Sequence, residues 1–398
     1  MGKPLDGITV VDLSRVLSGP YCTMLLADMG ADVVKIERPG TGDDTRALGP
    51  PFIGGESAYF LSVNRNKRSV ALNLKDDRCV RIVKQLIATA DVVVENFRPG
   101  TMEALGLGYE TIHALNPRIV FCSISGYGHT GPNAHLPGYD LVIQGEGGVA
   151  SLTGDPSGPP YKVGVSQADI IAGMTAFQGI LLALLARAQT GRGQHVDIGM
   201  LDCQVALLTY QAGIHFATGA DPTRMGNLHP TIAPYTMYRC GDGHFITIAC
   251  ANDATWQCFC RTVERTTWVE DERFRTNADR VQHREQLDAL IGELLSGRSS
   301  HAWITTLQAH GVPCGRIQSV GEVCDHPQVR AREMVVELLH PTVGPMYVTG
   351  IPIKLSDTPG AIHDPPPLLG QHTAQVLTEW LHLDATAVDA LRKDGVVS

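Results

Sequence analysis

Short, almost unbroken apolar runs recur through the first half of the chain: "ITVVDL", "ADVVKIE", "SVALNL", "ADVVVEN" and "RIVFCSIS". A strand with one wet face alternates apolar and polar positions, whereas these runs do not, so they predict strands buried on both faces. Between them the apolar positions return every three or four residues. "SGPYCTMLLADMG" reads as a helix with Pro20 near its start and Gly30 at its end, and "DDRCVRIVKQLIATA" as another. Strand and helix in strict alternation predict an α/β fold: a Rossmann-like, doubly wound parallel sheet. A long apolar helix follows Asp169, and "GQHVDIGMLDCQVALL" adds one more strand and helix.

The pattern then changes. "TGADPTRMGNLHPTIAPY" has no periodicity and reads as a linker, and "TMYRCGDGHFITIAC" reads as a hairpin turning at Gly-Asp-Gly. With "REQLDALIGELLS" and "HAWITTLQAHG" as helices, this predicts a smaller α+β domain. A second loose stretch, "TVGPMYVTGIPIKLSDTPGAIHDPPPLLG", leads to the helical "HTAQVLTEWLHLDATAVDAL". The expected division is residues 1–217 as the first part of the large domain and 218–235 as a linker. Residues 236–328 form the small domain, 329–367 a linker and return, and 368–398 the C-terminal helical part of the large domain.

Bulk composition narrows the function classes. A chain of 398 residues exceeds what one core usually fills, in keeping with two domains. A net charge of −9 with no basic run argues against a nucleic-acid partner. The most apolar segment, Ile170 to Ala186, is interrupted by Gly173, Thr175, Gln178 and Gly179, which predicts a buried helix and no membrane partner. Ten cysteines without a CxxC pair predict reduced thiols and a cytoplasmic protein. His129 and His135 stand without an HExxH, so no metal site is expected.

Glu37 ends the second predicted strand, where an acid could hold a ribose, but the turn after the first strand reads "SRVLSGP", not GxGxxG. No GxxxxGK[ST] loop is present, and "GVSQAD" around Ser166 lacks the GxSxG elbow of a hydrolase. Asp169 remains, a carboxylate at the mouth of the long apolar helix. An acid in a first helical turn gains about 0.3–1 kcal/mol from the dipole, which makes capping an adequate role. An aspartate attacking an activated acyl group to form an anhydride is the other. Pattern alone leaves both open.

The segments "PLDGITVVDLS", "GPYCTMLLADMGADVVKIERPGTGDDTR", "NRNKRSVALNLK", "DVVVENFRPG", "GYDLVIQ", "ADIIAG", "TGRGQHVDIGMLD", "DGHFITIA" and "PLLGQHT" span almost the whole chain. In that order they resemble the class III CoA-transferases, the CaiB/BaiF family that includes formyl-CoA transferase. The resemblance implies an acyl-CoA:carboxylate CoA-transferase in which Asp169, the Asp of "ADI", is the nucleophile. It would form an aspartyl-acyl anhydride and then an aspartyl-CoA thioester. The resemblance also implies coenzyme A thioesters as substrates, no tightly bound cofactor, and an interlocked homodimer with the active site between large and small domains of different subunits. By the same resemblance, Leu17, Ser18, Arg38, Leu72, Asn73, Leu74, Lys75, Asn96, Phe97, Arg98, Tyr139 and Asp140 contact CoA or the acyl group. The "MGNLHP" stretch is the expected lid.

Departures narrow the substrate. Formyl-CoA transferase has glutamine at the place of Leu17, arginine at Ala104 and lysine at Pro137, and its tetraglycine loop is missing here, which points away from oxalate and towards succinyl-CoA with dicarboxylic acids. Two alternatives carry different chemistry. The family's α-methylacyl-CoA racemases have a histidine where this chain has Tyr139 and a carboxylate where it has Asn252, and a non-catalytic CoA-binding protein would not need Asp169.

Overall fold

The computed structural model describes residues 2–394 together with Val396 and Val397; residues 1, 395 and 398, at the ends of the expected large domain, lie outside the described residues. The chain divides into two compact units. One comprises Met1–Ala150, Lys162–Ala220 and Pro327–Ser398, the other Ser151–Tyr161 and Asp221–His326.

The first unit is built on a six-stranded parallel sheet. Its strands are β1 (Thr9–Asp12), β2 (Asp32–Glu37), β3 (Lys67–Ala71), β4 (Val92–Glu95), β5 (Val120–Ser125) and β6 (His195–Gly199). They lie in the order β3-β2-β1-β4-β5-β6. Val10 of β1 faces Val33 of β2 on one side and Val92 of β4 on the other. This 3-2-1-4-5-6 order reverses direction between β1 and β4, and such sheets bind ligands beyond the strand ends at that reversal.

Both faces of the sheet are dry. On one, Val10, Val33, Val92, Val94 and Cys122 pack under helices α1 (Ser18–Asp28) and, further along the chain, the long Gln167–Thr190. On the other, Val11, Val34, Val70, Val93 and Phe121 meet helix α2 (Asp77–Thr89). Helix α2 buries Cys79, Ile82, Val83, Leu86 and Ile87, one stripe at helical spacing, and Asp76 caps it by accepting from the Arg78 amide. Each large side chain so buried contributes roughly 1.5–3 kcal/mol. The C-terminal helices Thr373–Leu381 and Ala385–Lys393 complete this second face with Val376, Leu377 and Val388.

Ten of the eleven residues of α1 are buried, so this helix is wrapped on every side. One of its walls is the Gln167–Thr190 helix, and the approach is close. A Cβ on Gly173 would come within 2.5 Å of the Ser18 carbonyl oxygen, which only glycine avoids.

Two departures from the sequence reading have physical causes. Strand β3 begins at Lys67 rather than at Ser69, because the Lys67 ammonium is itself buried, donating to the Pro20 carbonyl at 2.8 Å and to Asn64 Oδ1 at 2.9 Å. The stretch 329–367 also contains a hairpin, Val335–His340 paired with Gly344–Thr349, which buries Leu338, Met346 and Val348 against Leu61. Pro341, Gly344 and Pro345 break up its alternation in the sequence.

The second unit pairs Tyr235–Arg239, Phe245–Ala249 and Cys314–Arg316 in an antiparallel sheet. Its core centres on Trp256, Phe259, Phe274, Leu287 and Ile291.

Candidate active site

The loop that leaves β1, Leu13 to Leu17, and the turn that leaves β4, Asn96 to Arg98, meet at the point where strand order reverses. Asn96 ties them together. Its Oδ1 accepts from the Arg15 amide at 2.8 Å, and its Nδ2 donates to the Arg15 carbonyl at 2.7 Å and to Ser18 Oγ at 3.3 Å. Glu95, the last residue of β4, fixes the same turn by accepting from the Phe97 amide at 2.8 Å.

Two cavities of the first unit open here. One of about 620 Å³ is lined by Arg38, Leu72, Asn73, Leu74, Lys75 and Phe97, six of the residues singled out from the sequence. The other, about 180 Å³, is lined by Ser18, Asn96, Phe97, Arg98, Tyr139 and Asp169, again all singled out. Phe97 and Arg15 line both.

Asp169 sits in the first turn of the Gln167–Thr190 helix, α4 when the intervening helix Asp140–Glu146 is counted as α3. The carboxylate that caps α4 comes from elsewhere. Asp140, the first residue of α3, accepts from the Ala168 amide at 2.9 Å through Oδ1 and from Gln144 Nε2 at 2.8 Å through Oδ2. Gly138 makes that placement possible: a Cβ there would lie 2.5 Å from the Gly126 Cα. Asp140 therefore serves the helix end, and Asp169 faces the cavity.

Burial pushes the Asp169 carboxyl up to about 7, the nearby Asp140 charge adds to the rise, and a hydrogen bond donated by Ser18 partly offsets it. A rise from 3.8 to about 7 corresponds to about 4 kcal/mol, whereas a helix N-terminus favours the anion by only about 0.3–1 kcal/mol. Desolvation wins, which leaves a carboxylate more basic and more nucleophilic than an exposed one. Tyr59 shares this environment. Burial first, then the charges of Asp169, Asp140 and Asp43, push its phenol up to about 12.

Leu17 and Asp140 stand near Asp169 but are not among the residues that line the smaller cavity. Leu17 is buried with Met24 and Val63, and Val16, Tyr21, Tyr59 and Ile170 pack around them, forming an apolar flank. Tyr139, 71% exposed, stands at the cavity rim. Among the residues not singled out from the sequence, Arg15 lines both cavities and Tyr59 feels the Asp169 charge. Arg15 lies inside the quoted turn "SRVLSGP", where a cation at a strand's carboxyl end was the signal; Tyr59 had no local signal.

The rejected motifs have structural accounts. Glu37 is not free for a ribose, because both its oxygens bind Arg46 at 2.7 Å and one accepts from Ser69 at 2.6 Å. Asn252 caps the helix Asp253–Thr262 by accepting from the Thr255 amide at 2.9 Å. No group of three His, Cys, Asp or Glu side chains is placed to hold a metal among the described residues.

Residues 5–373 match the family model described as CoA-transferase family III. This chain belongs to CoA-transferase family III. It is an enzyme, and its curated relatives are named as CoA-transferases acting on acyl-CoA and carboxylate substrates. Among its relatives, the succinyl-CoA:glutarate CoA-transferase of Mus musculus is 42% identical over 395 residues, covering 99% of this chain and 90% of that one. The acetyl-CoA:oxalate CoA-transferase of Acetobacter aceti is 41% identical over 354 residues, 89% of each. The crystal structure of a CaiB/BaiF family protein from Brucella suis superposes with a TM-score of 0.85 at 42% identity, covering 96% of this chain and 100% of that one.

Proposed function

We propose that this family III enzyme moves CoA from an acyl-CoA donor to a carboxylic acid by covalent catalysis at Asp169. The observation that carries the reading is the division of labour at the head of α4: Asp140 takes the helix amide, and Asp169, with its carboxyl pushed up to about 7, faces a cavity.

A carboxylate oxygen of Asp169 attacks the thioester carbonyl, the C–S bond breaks, and CoA thiolate leaves an aspartyl-acyl anhydride. The thiolate attacks the Asp169 carbonyl carbon, releasing the donor acid and leaving an aspartyl-CoA thioester. The acceptor carboxylate attacks that carbon and expels thiolate, forming a second anhydride. The thiolate then attacks the acceptor's acyl carbon, which frees Asp169 and the new CoA thioester. No proton moves in any step. Ser18, donating to Asp169, is the positioned hydroxyl, and the apolar flank around Leu17 helps exclude the water that would hydrolyse an anhydride.

Succinyl-CoA and a dicarboxylic acid such as glutarate are the proposed pair, supported by the name of the mouse relative. The Acetobacter aceti relative carries oxalate in its name at similar identity, so the substitutions at Leu17, Ala104 and Pro137 do not by themselves set oxalate apart. Exposed Leu182 and Leu185 on α4 and Phe216 on the helix Thr209–Thr218 support a homodimer. Racemisation is the weaker reading, because Asn252 is engaged as a cap and Tyr139 offers no imidazole.

The test is to incubate the protein with isotopically labelled succinyl-CoA, quench, and search by mass spectrometry for CoA or succinyl on the Asp169 peptide. Asp169→Ala should lose both the adduct and turnover. Full transfer activity in that variant would end the proposal.

A further inference from the structure

In nucleotide-binding sheets of this strand order, the turn after the first strand receives the diphosphate on free backbone amides at a helix N-terminus. Here three amides of the turn are taken. Ser14 donates to Asp12 Oδ1 at 2.9 Å, Arg15 to Asn96 Oδ1 at 2.8 Å and Val16 to Asp43 Oδ1 at 3.2 Å. A diphosphate arriving at this part of the turn finds those amides occupied, which leaves side chains to meet it.

Arg15 is the side chain so placed. It lines the larger cavity together with Arg38 and Lys75, and the smaller one together with Asp169. Its guanidinium carbon stands 5.0 Å from the centroid of the Phe97 ring, the other residue common to both cavities. Its ion pair with Asp44 is long, 3.5 Å, between side chains 40% and 55% exposed, and such pairs hold weakly. The direction of the side chain is set from behind. Asn96 grips both the amide and the carbonyl of Arg15, and the next residue, Val16, is held at φ +68°, a conformation that a β-branched residue adopts only under constraint.

We infer that Arg15 binds the diphosphate of the CoA thioester at the waist between the two cavities, with the nucleotide in the larger and the thioester carbonyl at Asp169 in the smaller. The inference rests on the CoA-transfer reading and adds a residue to it. A planar guanidinium suits the paired oxygens of a diphosphate, and a charge-assisted contact of this kind accounts for about tenfold to a hundredfold in affinity. The same fork could take the far carboxylate of a dicarboxylic acid, so the test separates the two anions.

Calorimetric titration of CoA is compared for the wild type, Arg15→Gln and Arg15→Lys. The glutamine variant should bind CoA at least tenfold more weakly and the lysine variant should fall between. Melting temperatures should be unchanged, since the side chain is partly exposed and its backbone grip comes from Asn96. In turnover with glutarate as acceptor, Arg15→Gln should lower kcat/KM for succinyl-CoA at least tenfold and leave kcat/KM for succinyl-pantetheine, which lacks the diphosphate, as it is. Equal CoA affinity in the wild type and Arg15→Gln overturns the assignment, as does an equal loss with succinyl-pantetheine; if KM for glutarate alone rises, the arginine serves the acid. Titration needs no turnover, so a wild type that binds CoA without transferring it refutes the transfer reading, while Arg15 is judged on affinity alone.

Discussion

Replacing Asp169 by asparagine should make the protein more stable, and increasingly so as the pH rises. In the unfolded chain the carboxyl ionises near 3.8, whereas in the folded protein it holds its proton to about 7. For an acid with a raised folded-state value, ionisation opposes folding. Below pH 4 both states are neutral and there is no penalty; from pH 4 to 7 the penalty grows, and above 7 it is constant. At about 1.36 kcal/mol per pH unit the plateau is about 4 kcal/mol, an upper limit because Asp169 is only partly enclosed. Asparagine keeps an oxygen to accept from Ser18 and carries no charge, so it escapes the penalty. Urea unfolding of wild type and Asp169→Asn at pH 5 and pH 8 should show the variant's advantage widening by roughly 2–3 kcal/mol at the higher pH, together with loss of transfer activity. A stability gap that does not change with pH, or a variant less stable at pH 8, would refute the claim that Asp169 is held against its own desolvation.

The remaining expectations concern the same site. In the proposed mechanism Asp169 attacks as the anion, so kcat/KM for acyl-CoA should rise with pH through about 7 and then level; in pH–rate profiles Asp140→Asn should move that limb to lower pH and Ser18→Ala to higher pH. Asn96→Ala removes both side-chain bonds to the Arg15 backbone and should cost about 1–3 kcal/mol in urea unfolding, with a fall in kcat. Gly173→Ala should destabilise by about 1–3 kcal/mol, read as a lower melting temperature, because its Cβ meets the Ser18 carbonyl at 2.5 Å. Helix propensity alone predicts a gain of about 1 kcal/mol from the same change, so the sign decides.

How much of this was legible in the sequence differs by element. The strands β1, β2, β4 and β5 could be read because both sheet faces are dry, which turns each strand into an apolar run. The start of β3 could not, because Lys67 breaks the run while remaining buried on oxygens that only the fold assembles. At the site, "LNLK" and "NFRPG" marked residues that do line cavities, and the resemblance to a family supplied their meaning. The choice between capping and chemistry at Asp169 was beyond any local pattern, since the cap comes from Asp140 on a separate helix. Tyr59 was invisible for a similar reason: its connection to Asp169 is electrostatic and through space.

The same distinction explains why a sheet with nucleotide-binding strand order lacks the glycine turn. A glycine turn leaves its amides bare and flexible until a diphosphate arrives. In this turn the Ser14, Arg15 and Val16 amides are instead bonded without a ligand, and charges buried at 0% side-chain exposure support it from beneath. Lys35 donates to the Ser14 carbonyl at 2.8 Å and pairs with Asp43 at 2.9 Å; Lys67 donates to the Pro20 carbonyl at 2.8 Å and reaches Asp12 at 3.3 Å. Burial opposes the charge on both ammonium groups. For Lys35 the surrounding Asp12, Asp43 and Glu37 outweigh it and hold the ammonium charged, whereas Lys67 is pushed down to about 8. Burying ions costs several kcal/mol each unless partners satisfy them, so this arrangement is a poor way to gain stability alone. It is an effective way to fix carbonyls and amides at both ends of one turn, and between those ends lie Arg15 and Ser18. The proposed nucleophile, which would meet a thioester, lose it and meet a second acid without admitting water, needs its neighbours fixed in advance rather than recruited by the ligand. The buried lysines are the counterpart of a glycine turn: the glycine turn adapts to a phosphate, and the charged one holds a carboxylate's hydrogen-bond donor in place.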